Sequence, residues 1–522
     1  MTEAVTRLQT AAFIVALPTM LAAQQSGFSD PAREAKLRAA FPAVDSIMRE
    51  FTEREHVPGA AWAIVMDDRV VHLGVTGLRD IAAKAPVDSS SVFRIASMTK
   101  SFTAMAIMRL RDEGKLSLDD PAEKYVPELN RLAYPTSDSP KITIRHLLSH
   151  ATGFPEDNPW GDQQLSRTDA EMAAMLKKGI PFSNAPGVAY EYSNYGFAIL
   201  GRIVTRASGT PYNDYVSTHI LKPLGMRSTT LSPAAVPTDR LAHGYRWEDE
   251  QWKEEPQLPD GAFGAMGGML TSLSDLGRYV SAFLGAWPPR DGPENGPVSR
   301  SSLREMQQVW RPGAPSVLRD STGLTLTAGG YGFGLGVSAN CQFAHIVGHS
   351  GGLPGFGSRM QWLPEYGIGI IAFGNRTYTR WGPPFAAALT VLHETGALRA
   401  REAIPAKALV NAREQVTKLI LEWDDDLARS IAAQNLFLDR SIDRRRADIA
   451  ALRTQSGRCK AANGFAYVEN ALRGQWILPC ERSDLLVSVT LAPTMPPSVQ
   501  FLEVIPAPQP EEVGRPALCQ GS

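Results

Sequence analysis

The chain has 522 residues, of which 43% are hydrophobic and 20% charged, with 53 basic and 54 acidic residues and a formal net charge of -1. That is too long for one ordinary core and predicts a globular protein of two or three domains. So even a charge balance supplies no field to draw nucleic acid or an acidic membrane surface, and no basic run interleaved with aromatics occurs.

The first residues have the pattern of a secretory signal over 1–23. Arg7 is followed by the short apolar run Ala11–Ala23 and then by Gln24-Gln25-Ser26. The run is too short to span a bilayer, Pro18 interrupts it, and no cysteine follows closely for lipid attachment. The expectation is a periplasmic or secreted protein without a stable membrane anchor. Of the four cysteines, Cys341 stands alone and Cys459, Cys480 and Cys519 cluster late. Cys459 and Cys480 either pair or stay as buried thiols, and no zinc-type spacing is present.

Asp30 to His56 reads as a helix. "AAWAIVMDDRVVHLGVTG" then reads as two strands around Asp67-Asp68, a hairpin signal. From Phe93 to about Leu221 the pattern is mostly helical, broken by Pro- and Gly-rich loops. The stretch from Tyr331 to Asn375 returns to short strands with Gly turns. Strands at both ends with helices between predict an α+β layout rather than alternating βαβ units.

The first chemical motif is Ser97-Met98-Thr99-Lys100. Positions i and i+3 share a helix face, which brings the hydroxyl and the amine together. The following residues, Phe102 to Met108, are apolar almost all round, so this helix is buried. Burial lowers a lysine pKa towards what a general base needs. The N–H groups at a helix start can stabilise an oxyanion. Downstream, Tyr192-Ser193-Asn194 opens another apolar helix. Tyr192 either relays a proton or packs a loop, and Asn194 either hydrogen-bonds a substrate amide or caps its helix; alone, the packing and capping roles are the commoner.

"IVGHSGGLPGFGS" (346–358) contains a G-x-S-x-G, which raises Ser350 as the nucleophile of an elbow. An elbow serine is followed by a helix and then by an acid and a histidine. Here Gly352-Leu353-Pro354-Gly355 follows, only His393 lies beyond, and the acid between would be Glu365 at a short spacing. That pattern disfavours Ser350 as an elbow nucleophile. His146 and His150 stand four apart, a metal-compatible spacing, but without the glutamate of H-E-x-x-H they read as structural. No cofactor or metal motif is found.

After about residue 396 the character changes. Helices over roughly 410–433 and 442–454 precede strand-like "DLLVSVTLA" and "SVQFLEVI" and a Pro-rich end. Residues 405–522 read as a small α+β accessory domain. Arg444-Arg445-Arg446, flanked by Asp443 and Asp448, reads as a solvated helix face.

The three motifs in this order resemble the β-lactamase-related serine hydrolases, which include class C β-lactamases, penicillin-binding D,D-peptidases, D-aminopeptidases and esterases. "ITIRHLLSHATGFP", "LGMRSTTL", "GAMGGMLTSLSDLGRYVSAFL" and "YGFGLGV" extend the resemblance over about 30–395. It implies an antiparallel sheet flanked by helices plus a mostly helical subdomain. It implies that Ser97 is the acylated nucleophile, Lys100 its proton acceptor and Tyr192 the proton shuttle. Asn194, His349, Ser350 and Gly351 would contact the substrate, a small molecule or peptide, and the N–H groups of Ser97 and Gly352 would form the oxyanion hole. Lactamases commonly have lysine where His349 stands, and a largely neutral imidazole grips a carboxylate more weakly. That leans the reading to esters or D-amino acid peptides and amides. True β-lactamase or D,D-carboxypeptidase activity is the alternative, and a penicillin-binding sensor that acylates without turnover is a third reading.

Overall fold

The computed structural model describes residues 27–320, 323–461 and 464–508. The signal segment at 1–23, Cys519 and most of the Pro-rich end lie outside the described residues. Among the described residues, no helix is long and apolar enough to cross a membrane.

Strand β1 (Gly59–Met66) is buried along its whole length, as its continuous apolar run dictates. It turns at Asp67-Asp68 into β2 (Arg69–Asp80), the anticipated hairpin. The late strands are β3 (Gly323–Tyr331), β4 (Gly336–Asn340), β5 (Ile346–Leu353), β6 (Phe356–Leu363) and β7 (Ile368–Gly374). All are antiparallel, in the order β2-β1-β7-β6-β5-β4-β3, with short strands added at both edges. The sheet closes through β1 against β7, with Ala60 opposite Gly374 and Met66 opposite Ile368. The first and last parts of this region thus meet at the sheet centre.

Alternation along β1 divides the packing. Ala61, Ala63 and Val65 face the helical side, while Ala60, Trp62, Ile64 and Met66 face α1 (Arg33–Ala39) and α2 (Phe41–Arg54). The helical side holds α3 (Thr99–Asp112), which is buried from Thr99 to Met108. Against it packs α4 (Asn194–Ser208), capped by the Ser193 side chain and ended by left-handed Gly209. The single helix anticipated over 30–56 is two, because the chain restarts at Phe41 with Pro42 in its first turn.

A third core draws only on residues 408–504. Its four-stranded sheet contains the two anticipated strands, Leu485–Leu491 and Val499–Pro506. It also contains Tyr467–Asn470 and Arg473–Leu478, too short and polar to stand out in the sequence. The helix anticipated over 410–433 breaks in two because Asp424 caps a new start, accepting from the N–H groups of Asp426 and Leu427. Cys459 and Cys480 are disulfide-bonded, and so is Cys341.

Candidate active site

Ser97 sits in a short 3-10 turn, Ala96–Met98, directly before α3. Ala96 has φ 48°, a left-handed conformation that costs an alanine roughly 1–3 kcal/mol. The turn is braced on both sides. Thr99 Oγ1 donates to the Ala96 carbonyl at 2.7 Å and accepts from Met269 N at 3.1 Å. Ser358 Oγ donates to the Ile95 carbonyl at 2.9 Å. The strain is therefore held in place beside Ser97, which lines the cleft.

Lys100 has no exposed surface. Its Nζ reaches Ser97 Oγ at 3.0 Å, Asn194 Oδ1 at 2.6 Å and the Met266 carbonyl at 2.8 Å. Burial pushes its pKa down to about 7, against smaller upward pulls from Asp157 and Asp162. A neutral amine has two N–H donors and one lone pair. The two carbonyl oxygens take the donors, so the lone pair is left for the Ser97 proton. Tyr192 is close enough to Ser97 to interact with it electrostatically, and burial raises its pKa well above the usual 10. Tyr192 therefore keeps its proton near neutral pH and is in the form that can donate one, while the lowered pKa of Lys100 suits it to accept one.

Strand β5 forms the opposite wall. It pairs with β4 only over Ile346–Gly348, while its pairing with β6 runs on to Leu353. From His349 onward one edge is unpaired among the described strands, and this free edge faces the cleft. A cavity of about 840 Å³ opens there, lined by Ser97, Tyr192, His349, Ser350 and Gly352.

Residues 44–394 match the Beta-lactamase family. The chain belongs to the beta-lactamase family. Protein flp of Staphylococcus aureus (strain MW2) is 28% identical over 339 residues, covering 64% of this chain and 62% of that protein. The chain thus spans about 62% of the length of that relative. A penicillin-binding protein of Bacillus subtilis (strain 168) is 28% identical over 352 residues, covering 64% of this chain and 71% of that one. Two solved structures share the fold. The octameric penicillin-binding protein homologue from Pyrococcus abyssi has a TM-score of 0.55 and 24% identity, over 89% of this chain and 90% of that one. A class C beta lactamase has a TM-score of 0.54 and 20% identity, over 70% and 99% respectively.

Within this beta-lactamase fold, His349 stays neutral. Burial and the nearby Lys100 charge push its pKa down to about 3. Its Nδ1 lies 2.5 Å from the Ser350 carbonyl and must donate, which leaves Nε2 to accept from the Tyr331 hydroxyl at 2.8 Å. Ser350 lies in mid-strand, exposed, and β5 runs through a Pro354-Gly355 turn into another strand with no helix between. That geometry removes the elbow.

Two residues sit differently from expectation. Asn194 is fully buried: its Oδ1 accepts from Lys100, and its Nδ2 donates to Asn158 Oδ1 at 2.6 Å. It holds the lysine rather than a substrate amide. Gly351 faces away from the cavity, where a Cβ would lie 2.1 Å from the Ile95 carbonyl. It packs closely beneath the Ala96–Met98 turn.

Four contributors escape a motif search. The Met266 carbonyl belongs to the backbone and leaves no side-chain signal. Asp157 accepts from the N–H groups of Asn194 and Tyr195 at 2.7 and 2.8 Å, fixing the start of α4. His150 accepts from Ser193 N at 3.0 Å, and its ring lies 4.3 Å from that of Tyr192 and 4.5 Å from that of Tyr331. Tyr331 and His150 both sit in stretches quoted above for the resemblance, "YGFGLGV" and "HLLSHATG". His146, by contrast, accepts from Thr143 N and caps a helix, and no metal-type cluster forms among the described residues.

Proposed function

We propose that the protein is an exported serine hydrolase that cleaves esters or D-amino acid peptides and amides through an acyl-enzyme on Ser97. One observation carries this reading. The Nζ of a buried lysine, its pKa lowered to about 7, lies within hydrogen-bond distance of the Ser97 hydroxyl and of two carbonyl oxygens, so its neutral form can give its N–H donors to the carbonyls and turn its lone pair to the serine. In the first step Lys100 takes the Ser97 proton as Oγ attacks the acyl carbon. The oxyanion forms between the N–H groups of Ser97 and Gly352, and Tyr192 returns a proton to the leaving group. Water then attacks the ester, using the same groups in reverse. The neutral His349 favours substrates without a carboxylate at that end of the cleft. The residues from about 405 form an accessory domain in this reading.

The test is to challenge the protein and Ser97→Ala with p-nitrophenyl esters, D-alanyl peptides and a chromogenic cephalosporin. The expected result is turnover of an ester or D-alanyl substrate that disappears in Ser97→Ala. Full activity in Ser97→Ala ends the mechanism. Fast acylation without turnover identifies a sensor.

A further inference from the structure

Asp162 lies in the cavity wall and is 2% exposed. Its Oδ2 accepts from the Tyr378 hydroxyl at 2.8 Å. Among the described residues, nothing donates to its other oxygen, and no lysine, arginine or histidine nitrogen comes within 4.0 Å. Lys100 is near enough to attract it, but the three bonds of that amine go elsewhere. A largely buried carboxylate without a paired cation is costly, and a buried acid in a cleft wall is a candidate ligand-binding group. The residue that holds it is also strained, since Tyr378 has φ 51°.

The position of Asp162 in the cleft follows from the neighbours of β5. The Tyr192 ring lies 6.4 Å from that of His349, so the proton donor for the leaving group marks the His349 end. At the other end Tyr378 stands over Gly352, where a Cβ would meet its ring at 2.6 Å. The acyl part of a bound substrate therefore extends towards Tyr378, Asn158 and Asp162. Gly161, the residue before Asp162, packs on the Asn194 side chain, which ties this wall to the reacting lysine.

We propose that Asp162 receives a protonated amine on the acyl side of the substrate, so that the enzyme prefers aminoacyl esters and amides with a free amino group over their N-acylated forms. This rests on Ser97 as the acylated nucleophile.

The test uses the full chain and two variants, Asp162→Asn and Tyr378→Phe. The probes are alanine p-nitroanilide in both enantiomers and the N-acetylated form of each. A charged hydrogen bond of ordinary strength predicts that wild type favours the free amine in kcat/KM by about 10- to 100-fold. That ratio should fall to near one in Asp162→Asn and by severalfold in Tyr378→Phe. An equal fall for both forms, an unchanged ratio, or a wild-type preference for the acetylated form overturns the proposal. If Asp162→Asn does not fold, Tyr378→Phe still gives the ratio. Wild-type p-nitrophenyl acetate turnover should then be inhibited by alaninamide and not by N-acetylalaninamide, and equal inhibition overturns it. No turnover of any probe and no fluorophosphonate label on Ser97 would instead overturn the parent reading, and this proposal with it.

Discussion

Lys100 Nζ stands 3.0 Å from Ser97 Oγ, on a side chain with no exposed surface. Everything proposed about the chemistry depends on that amine losing its proton close to neutral pH.

The pH profile reports it directly. For a neutral ester, kcat/KM should rise with pH through an inflection near 7 and then level off, as Lys100 becomes the free base. His349, held neutral by burial, should add no inflection near 6.5. Asn194→Asp puts a carboxylate where an amide oxygen now lies 2.6 Å from Nζ. It should move the inflection upward by about one unit or more. An inflection that stays in place would show that another group is the base.

Stability should carry the same signature. The folded pKa of Lys100 is below the unfolded value of 10.5, so between about pH 7 and 10.5 the unfolded chain binds the extra proton. Stability from this group therefore rises with pH across that window, by at most about 1.4 kcal/mol per unit. Below pH 7 the folded protein bears the full cost of a buried ammonium. Lys100→Met should be the more stable protein at pH 6, with the gap closing by pH 9 in thermal melts. A gap independent of pH would contradict the lowered pKa.

His349→Lys restores a cation at the leaving-group end. The ratio of cephalosporin to ester turnover should rise by about tenfold, the scale of one charge-assisted contact. Parallel spectrophotometric assays of the two substrates check this. An unchanged ratio would mean that His349 does not discriminate between substrates by a carboxylate at that end.

The Cys459–Cys480 bond closes a loop with a sequence separation of 21, worth about 3 kcal/mol in chain entropy. Cys459→Ser with Cys480→Ser should lower the unfolding midpoint of the C-terminal region while ester hydrolysis persists, because the third core shares no residue with the other two. Calorimetry with a parallel ester assay measures both.

Much of this was legible in the sequence, because its signals are local. Ser97 and Lys100 are three residues apart on a helix start, and the apolar run after them announces burial. Strands at both ends of the region anticipated the β1–β7 closure. What was not legible is long-range or carried by backbone. The Met266 carbonyl could come from any residue type. Asp162 and Tyr378 meet across 216 positions, and nothing in either local pattern names the other. Asn194 reads correctly as a motif residue, yet only the packing of Gly161 and Asn158 shows that it turns to the lysine. The turn at Ala96 is likewise invisible, since alanine gives no hint of positive φ. In the C-terminal region Asp424 lies inside a helical pattern, and its capping bonds decide the break.

The most direct measurement is mass spectrometry of the protein after reaction with a fluorophosphonate or an activated ester. A single modified residue, Ser97, is expected, with no label in Ser97→Ala. A label on Ser350, or hydrolysis undiminished in Ser97→Ala, would contradict it.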